Sequence, residues 1–163
     1  MITEVAVRKE IEITVRVQNE PGALARLFAT AASCGNEILA CNSYSNGKWA
    51  VVLLVTDNPD RTERALQDEG FEYGADSVVL VSAPESLACT ILLTAKLRAA
   101  GIGILYSYMS WFEPHNVRAV FKTQDDALAM RVLERFLADA SRDDPGNDVA
   151  APTVPAGLNR RAA

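Results

Sequence analysis

The 163-residue sequence predicts an α+β protein built of two consecutive βαββαβ modules, each with an antiparallel sheet and helices on one face. The first observation is an internal repeat, in which GNEILACNSYS from Gly35 aligns with GIGILYSYMSW from Gly101, 66 positions later. The second is that strand-like and helix-like hydrophobic periods follow each other in the same order in both halves. The common spacing and the matching patterns together predict a duplicated unit.

The first repeat begins with a strand, because residues 11–18 alternate apolar and polar side chains. A turn at residues 19–22 opens a helix, with Asn19 as the predicted N-cap and Pro21 in the first helical turn. Gly35 stands where a left-handed residue is expected to end that helix. Strands at 36–44 and 48–56 follow, joined by a hairpin whose Asn46-Gly47 pair is typical of a tight turn.

A second helix is predicted at 57–69 and a short closing strand at 71–73. The second repeat is predicted to contain a strand at 77–82, a helix at 85–100, strands at 102–111 and 116–122, and a helix at 124–140, but its closing strand is not visible. We therefore divide the chain into modules at 1–74 and 75–140. Residues 141–163 are rich in proline and lack periodicity, so they predict a disordered tail.

Composition excludes several classes of partner. With 16 basic and 21 acidic residues the net charge is -5, which argues against nucleic acid. The apolar runs are too short to span a membrane, and residues 1–10 do not resemble a signal peptide. Three cysteines without a CxxC pair, and one histidine, make a metal site improbable and a reducing cytoplasm the simplest setting.

No set of residues predicts catalysis. His115 falls in a predicted hairpin, Cys41 and Cys89 lie among apolar residues, and Asp125 and Asp126 head a helix, where acidic side chains interact favourably with its dipole. No nucleotide-binding or zinc-protease motif occurs. We therefore expect no enzyme activity and no cofactor.

The turn at residues 19–24 is the one unusual motif. Glycine at a helix start lets a ligand approach the backbone, and the N–H groups there can hold a carboxylate. A plain strand-to-helix connection is the simpler interpretation on physical grounds alone. However, NEPGALARLF followed by GNEI resembles the signature of the ACT family, and the layout of residues 11–138 is similar to small stand-alone proteins with two tandem ACT modules.

The resemblance implies two ferredoxin-like modules that bind a small ligand, an amino acid in the first instance, and act as a sensor. It implies that Asn19, Gly22, Ala23 and Leu24 bind the ligand, while a strand of a neighbouring module covers it. We assign the cover to Tyr106 and Tyr108, which share one side of a strand; packing on the sheet face is an equally good interpretation of these tyrosines.

The second module departs from the ACT pattern, since residues 83–87 read APESL and the turn glycine is missing. This favours an alternative function, an assembly module that has lost its pocket. In either case we expect a homodimer, because half-exposed sheets with edge strands, for which 11–18 and 102–111 are candidates, need pairing. A small enzyme remains a third and weaker hypothesis.

Overall fold

The computed structural model of the chain describes residues 5–84, 90–113 and 116–140. Its strands and helices are, in chain order, β1 (Ala6–Gln18), α1 (Ala23–Ser33), β2 (Ile38–Asn46), β3 (Trp49–Thr56), α2 (Pro59–Asp68), β4 (Glu72–Pro84), α3 (Thr90–Ala99), β5 (Ile104–Glu113), β6 (Asn116–Thr123) and α4 (Asp126–Ala140). The start of the predicted third helix, Cys89, His115 and the predicted tail at 141–163 lie outside the described residues. Within the described part, no helix is long and apolar enough to cross a membrane.

All six strands form one antiparallel sheet, in the order β2-β3-β1-β4-β6-β5. The two long strands, β1 and β4, pair along their length at its centre. Strand β4 unites the predicted closing strand of the first module with the predicted first strand of the second. The α+β class and the antiparallel βαββαβ modules are confirmed, and the division at residues 74 and 75, which falls inside β4, stays a prediction.

The central pair explains why the second module seemed to lack a closing strand. Ile11 pairs with Ser77, its own equivalent in the 66-residue repeat, so this pair marks a local two-fold axis. On one side of the axis β1 belongs to the first module. On the other side, residues 6–10 pair with β4 and form the closing strand of the second module. The first part of β4 is, in the same way, the closing strand of the first module. The missing strand therefore precedes the repeat rather than following it.

The helices cover one face of the sheet and bury two separate apolar clusters. Side chains from odd-numbered positions of β1 and β4 point to this face, as strand alternation requires. The first-module cluster contains Ile13, Val15, Val17, Leu27, Ala31, Ala50, Val52, Leu54 and Leu66. The second-module cluster contains Val79, Val81, Ala83, Leu93, Leu97, Ile102, Val117, Ala119, Phe121, Ala129, Leu133 and Leu137, with Val5 and Val7 packed against it.

The repeat changes spacing at a β-bulge in the second hairpin. The register of β5 and β6 shifts between Trp111 and Glu113, which adds one residue relative to the first hairpin. Beyond the bulge the equivalent residues are 67 positions apart: Leu66 corresponds to Leu133, and both are fully buried. The constant spacing of 66, which pairs Leu66 with Val132, is therefore wrong for β6 and α4.

The face without helices is concave because the sheet curls. Its centre buries a third cluster, the inner cluster, made of Ala40, Val55, Val78, Leu80 and Val120, with Leu39 and Tyr108 against it. Curling brings β2 against β5 and β6. There the Arg118 guanidinium lies 2.8 Å from the Glu37 carboxylate, and the Cys41 backbone N–H donates to Ser110 Oγ at 3.4 Å. We call these contacts the closed edge.

One of the two expected edge strands is an edge of the sheet, and the other is not. Strand β1, which contains the predicted edge at 11–18, is central and pairs with β3 and β4. The edges are β2 and β5, which approach each other within the chain. The predicted strand at 102–111 is thus an edge strand, but its contacts with β2 partly cover it.

Val7 tests whether residues 6–10 complete the second module. We expect Val7→Asp to lower the free energy of unfolding by about 2 kcal/mol, because it places a carboxylate against the second-module cluster. Lys9→Asp, an exposed position on the same strand, should change it by less than about 0.5 kcal/mol. Urea denaturation measures both, and equal effects would contradict the assignment.

Candidate functional site

The turn between β1 and α1 has a different cap from the predicted one. Gly22, not Asn19, is the N-cap of α1, with φ 89° in the left-handed region, and Pro21 precedes the helix. Asn19 instead ties the turn to the first hairpin: its backbone N–H donates to the Lys48 carbonyl at 2.8 Å, and its Nδ2 donates to the Gly47 carbonyl at 3.4 Å. The residue at the predicted cap therefore positions the turn rather than closing the helix.

The amino end of α1 carries no side-chain cap and no acidic residue in its first turn. The Ala23 N–H donates to the Glu20 carbonyl at 3.1 Å, and the first i to i−4 bond of the helix runs from Arg26 to Gly22 at 2.9 Å. Among the described residues, the N–H groups of Leu24 and Ala25 have no acceptor. Both residues are exposed, so these two donors face solvent.

In two other helices, α2 and α4, a side chain caps the amino end by accepting a hydrogen bond from a backbone N–H group. In α2, Asn58 Oδ1 accepts from the Arg61 N–H at 3.1 Å. In α4, Asp125 Oδ1 accepts from the Leu128 N–H at 2.9 Å, at the position equivalent to Asn58 in the 67-residue spacing. The open end of α1 is thus a local feature, and it favours an anion through the exposed N–H groups and the helix dipole.

Tyr106 and Tyr108 lie on the helix-free face, where both bind one carboxylate. The Tyr106 hydroxyl donates to Glu12 Oε1 in a short hydrogen bond, and the Tyr108 hydroxyl donates to Glu12 Oε2 at 2.7 Å. Glu12 lies in the middle of β1 and is only 1 % exposed. We call these three residues the Glu12 cluster.

The electrostatics of the Glu12 cluster favour neutral phenols. Burial, followed by the hydrogen bond and negative charge of Glu12, raises the pKa of Tyr106 and of Tyr108 well above the usual tyrosine range. Neither phenol therefore ionises at neutral pH. Both remain hydrogen-bond donors to the carboxylate.

Lys122, the cross-strand neighbour of Tyr106, forms a second polar group beside the Glu12 cluster. Its ammonium lies 3.1 Å from carboxylate oxygens of Asp76 and Asp126 and donates to the Ser77 carbonyl at 2.7 Å. Burial would lower the pKa of Lys122, but the two carboxylates outweigh it and raise that pKa. Burial would likewise raise the pKa of Asp126, but hydrogen bonds from Thr123 and Ser77 hold it low.

The structure does not bring all the predicted site residues together in one chain. Asn19, Gly22, Ala23 and Leu24 form the turn at the end of β1, whereas both tyrosines reach Glu12. Asn19 lies seven positions beyond Glu12 along the strand, roughly 23 Å at the usual rise. The assignment of both groups to one ligand site therefore stays a prediction.

Sequence reasoning missed Glu12. The alternation of residues 11–18 predicted a strand with a wet face, which assigned Glu12 to solvent. The curl of the sheet covers that face, and no local pattern encodes the curl. For metal binding, the described residues contain no group of three or more histidine, cysteine or acidic side chains suited to an ion.

Comparison with protein-family models finds no match for the chain, and comparison with curated proteins finds none either. Solved structures do match over most of the chain. Protein BT0572 from Bacteroides thetaiotaomicron superposes with a TM-score of 0.68 at 20 % identity, covering 82 % of this chain and 89 % of that one.

Two further matches are regulatory or kinase-related. The regulatory subunit of aspartate kinase from Thermus thermophilus, in a ligand-free form, gives a TM-score of 0.60 at 16 % identity over 82 % of this chain and 97 % of that one. A structure of aspartokinase alpha and beta subunits gives 0.59 at 21 % identity, over 85 % and 99 %. The chain therefore has the fold of such regulatory subunits. This confirms, at the level of the fold, the tandem ACT architecture that NEPGALARLF and the repeat predicted.

Gly22 provides a test of the turn geometry. An added Cβ would meet no atom within 4 Å, so the constraint at this position is the positive φ rather than space. We expect Gly22→Val to lower the free energy of unfolding by about 2 kcal/mol, because left-handed geometry is costly for a β-branched residue. Gly22→Asn, which tolerates this region, should cost less than half as much in thermal or urea denaturation; equal costs would argue against the left-handed cap.

The raised tyrosine pKa values predict a loss of stability at alkaline pH. A group whose pKa is higher in the folded state than its ordinary 10 contributes stability below pH 10 that is lost as the pH rises through and beyond that value. Between about pH 9 and about pH 11, the free energy of unfolding should fall more steeply for the wild type than for Tyr106→Phe/Tyr108→Phe. Lys122 is present in both proteins, so the difference in slope isolates the tyrosines, and identical slopes would contradict the Glu12 cluster.

Proposed function

We propose that the chain is a non-catalytic regulatory protein that binds a small carboxylate ligand, an amino acid in the first instance, at the amino end of α1. The observation that carries the proposal is the pair of exposed, unpaired N–H groups at Leu24 and Ala25, behind a left-handed Gly22. The regulatory subunits that share the fold support the class of function.

The chemistry of recognition follows from the helix end. A ligand carboxylate can accept from the two N–H groups and gains from the positive end of the helix dipole. Gly22 has no side chain, and open space surrounds it, so a ligand can lie against the backbone. The exposed side chain of Leu24, 37 % accessible, offers an apolar contact beside these donors.

The cover of the site comes, in this proposal, from a second copy of the chain. Tyr106 and Tyr108 lie too far from the turn of their own chain to cover it. Tyr106 keeps 37 % of its surface exposed while its hydroxyl binds Glu12, so its ring remains available to a neighbouring turn. A homodimer is therefore part of the proposal.

The alternative, an assembly module without a ligand, is favoured by a different observation. Tyr44 and Trp49 on the first hairpin are 53 % and 36 % exposed, and the Arg16 guanidinium stacks 4.0 Å from the Trp49 ring. Exposed aromatic and arginine side chains are enriched in interfaces between proteins. This patch fits a dimer contact whether or not α1 binds a ligand.

A thermal-shift screen against the twenty amino acids tests the proposal. A ligand present at about 100 times its dissociation constant stabilises the folded state by about 2.7 kcal/mol, which is a shift of several degrees. We expect one amino acid or a few related ones to raise the melting temperature. No shift with any of them, together with a dimeric mass, would favour the assembly module.

Ala25→Glu is the matched variant for this screen. A glutamate in the first helical turn complements the dipole, so the free protein should be as stable as the wild type or more so. The same carboxylate competes for the exposed N–H groups and repels the ligand, and we expect the thermal shift to disappear. Ala29→Glu, exposed one turn further along α1, is the control and should retain the shift.

A further inference from the structure

We propose that the Glu12 cluster is a conformational latch: the two phenol hydrogen bonds hold the sheet in its curled form against the hydration of Glu12, and their loss releases β5 from β1. The inference rests on the burial of Glu12, its two phenol partners and the modest polar contacts described at the closed edge. It is independent of the ligand proposed for α1.

The first step concerns the charge. Glu12 is 1 % exposed, and within the described residues no cation lies at ion-pair distance from it. Burying a carboxylate costs several kcal/mol, and the two phenols offset only part of this cost with charge-assisted bonds. The curled form therefore contains one group that gains free energy from hydration when the sheet opens.

The second step concerns what else holds the curl. The Glu37–Arg118 pair has one partner 60 % exposed, and such pairs contribute little. The Cys41 bond to Ser110 is long, and Arg118 donates to the Leu39 carbonyl at 3.2 Å. The inner cluster supplies apolar burial through five side chains that are at most 3 % exposed. Closure is thus a balance between apolar burial with modest polar contacts on one side and the cost of burying Glu12 on the other.

The third step concerns connectivity. Each strand pair of the sheet remains intact if the curl opens, since the Glu12 cluster and the closed edge join strands that are not neighbours in the ladder. Opening requires no loss of the two helix-covered clusters. It exposes the inner cluster, frees both phenols and leaves the outer edges of β2 and β5 accessible.

Exchange of the Cys41 amide hydrogen measures opening directly, because this N–H donates across the closed edge to Ser110. In Tyr106→Phe/Tyr108→Phe we expect its exchange to accelerate by about tenfold or more beyond what the change in global stability explains, since two hydrogen bonds to a charged group are lost. Binding of an apolar dye should rise in parallel. Tyr44→Phe, at an exposed tyrosine, should exchange like the wild type.

The triple variant Glu12→Leu/Tyr106→Phe/Tyr108→Phe separates a latch from a merely structural contact. Removing the charge together with its partners leaves apolar side chains over the inner cluster, and we expect exchange at Cys41 to return to the wild-type rate or below. If the double variant fails to fold, Tyr108→Phe alone gives the same comparison at smaller amplitude. Exchange that follows global unfolding in every variant, or a triple variant as open as the double, would overturn the proposal.

Discussion

The antiparallel pairing of β1 with β4 is the constraint on which the rest of the structure depends. Each strand is long enough to serve both modules, and the register that sets Ile11 against Ser77 makes the two modules equivalent about that pair. Val7 therefore packs on a core whose buried members all lie 72 or more positions away. A shift of one residue in this register would turn every side chain of β1 to the other face, so both helix-covered clusters fix it together.

The curl of the sheet breaks this equivalence. At the repeat position of Glu12 the second module carries Val78, and at the positions of Tyr106 and Tyr108 the first carries Ala40 and Asn42. The contact from β1 to β5 across the concave face is thus built on a carboxylate and two phenols, whereas the equivalent positions on β4 and β2 carry no charged residue. Two modules with the same strand order consequently meet in an asymmetric arrangement, with one buried carboxylate at the junction and no counterpart across the axis.

The sequence predicted those elements whose signals are local. Alternation located β1, the Asn46-Gly47 pair located the first hairpin, and Gly35, with φ 70°, ends α1 as expected. Features that depend on residues distant in the sequence were not predicted. Residues 6–10 pair with β4, which is separated from β1 by four other elements. The one-residue bulge near Trp111 displaced the later part of the repeat. The turn was found by its motif, but the N-cap was predicted at Asn19 and lies at Gly22. The reason is that N-cap preference ranks asparagine high and does not register a left-handed backbone.

The unusual features of the chain converge on β1. Its middle carries the buried Glu12, its last residues lead into the open end of α1, and its first residues complete the second module. A ligand at the turn can shift the balance between curled and open sheets only if it binds one of them more tightly. The tyrosines make such a difference physically reasonable, because their hydroxyls are held by Glu12 in the curled form and released in the open one. Regulation in this fold would then require no movement within either helix-covered cluster. It would require only that the curl of the sheet opens and exposes the inner cluster.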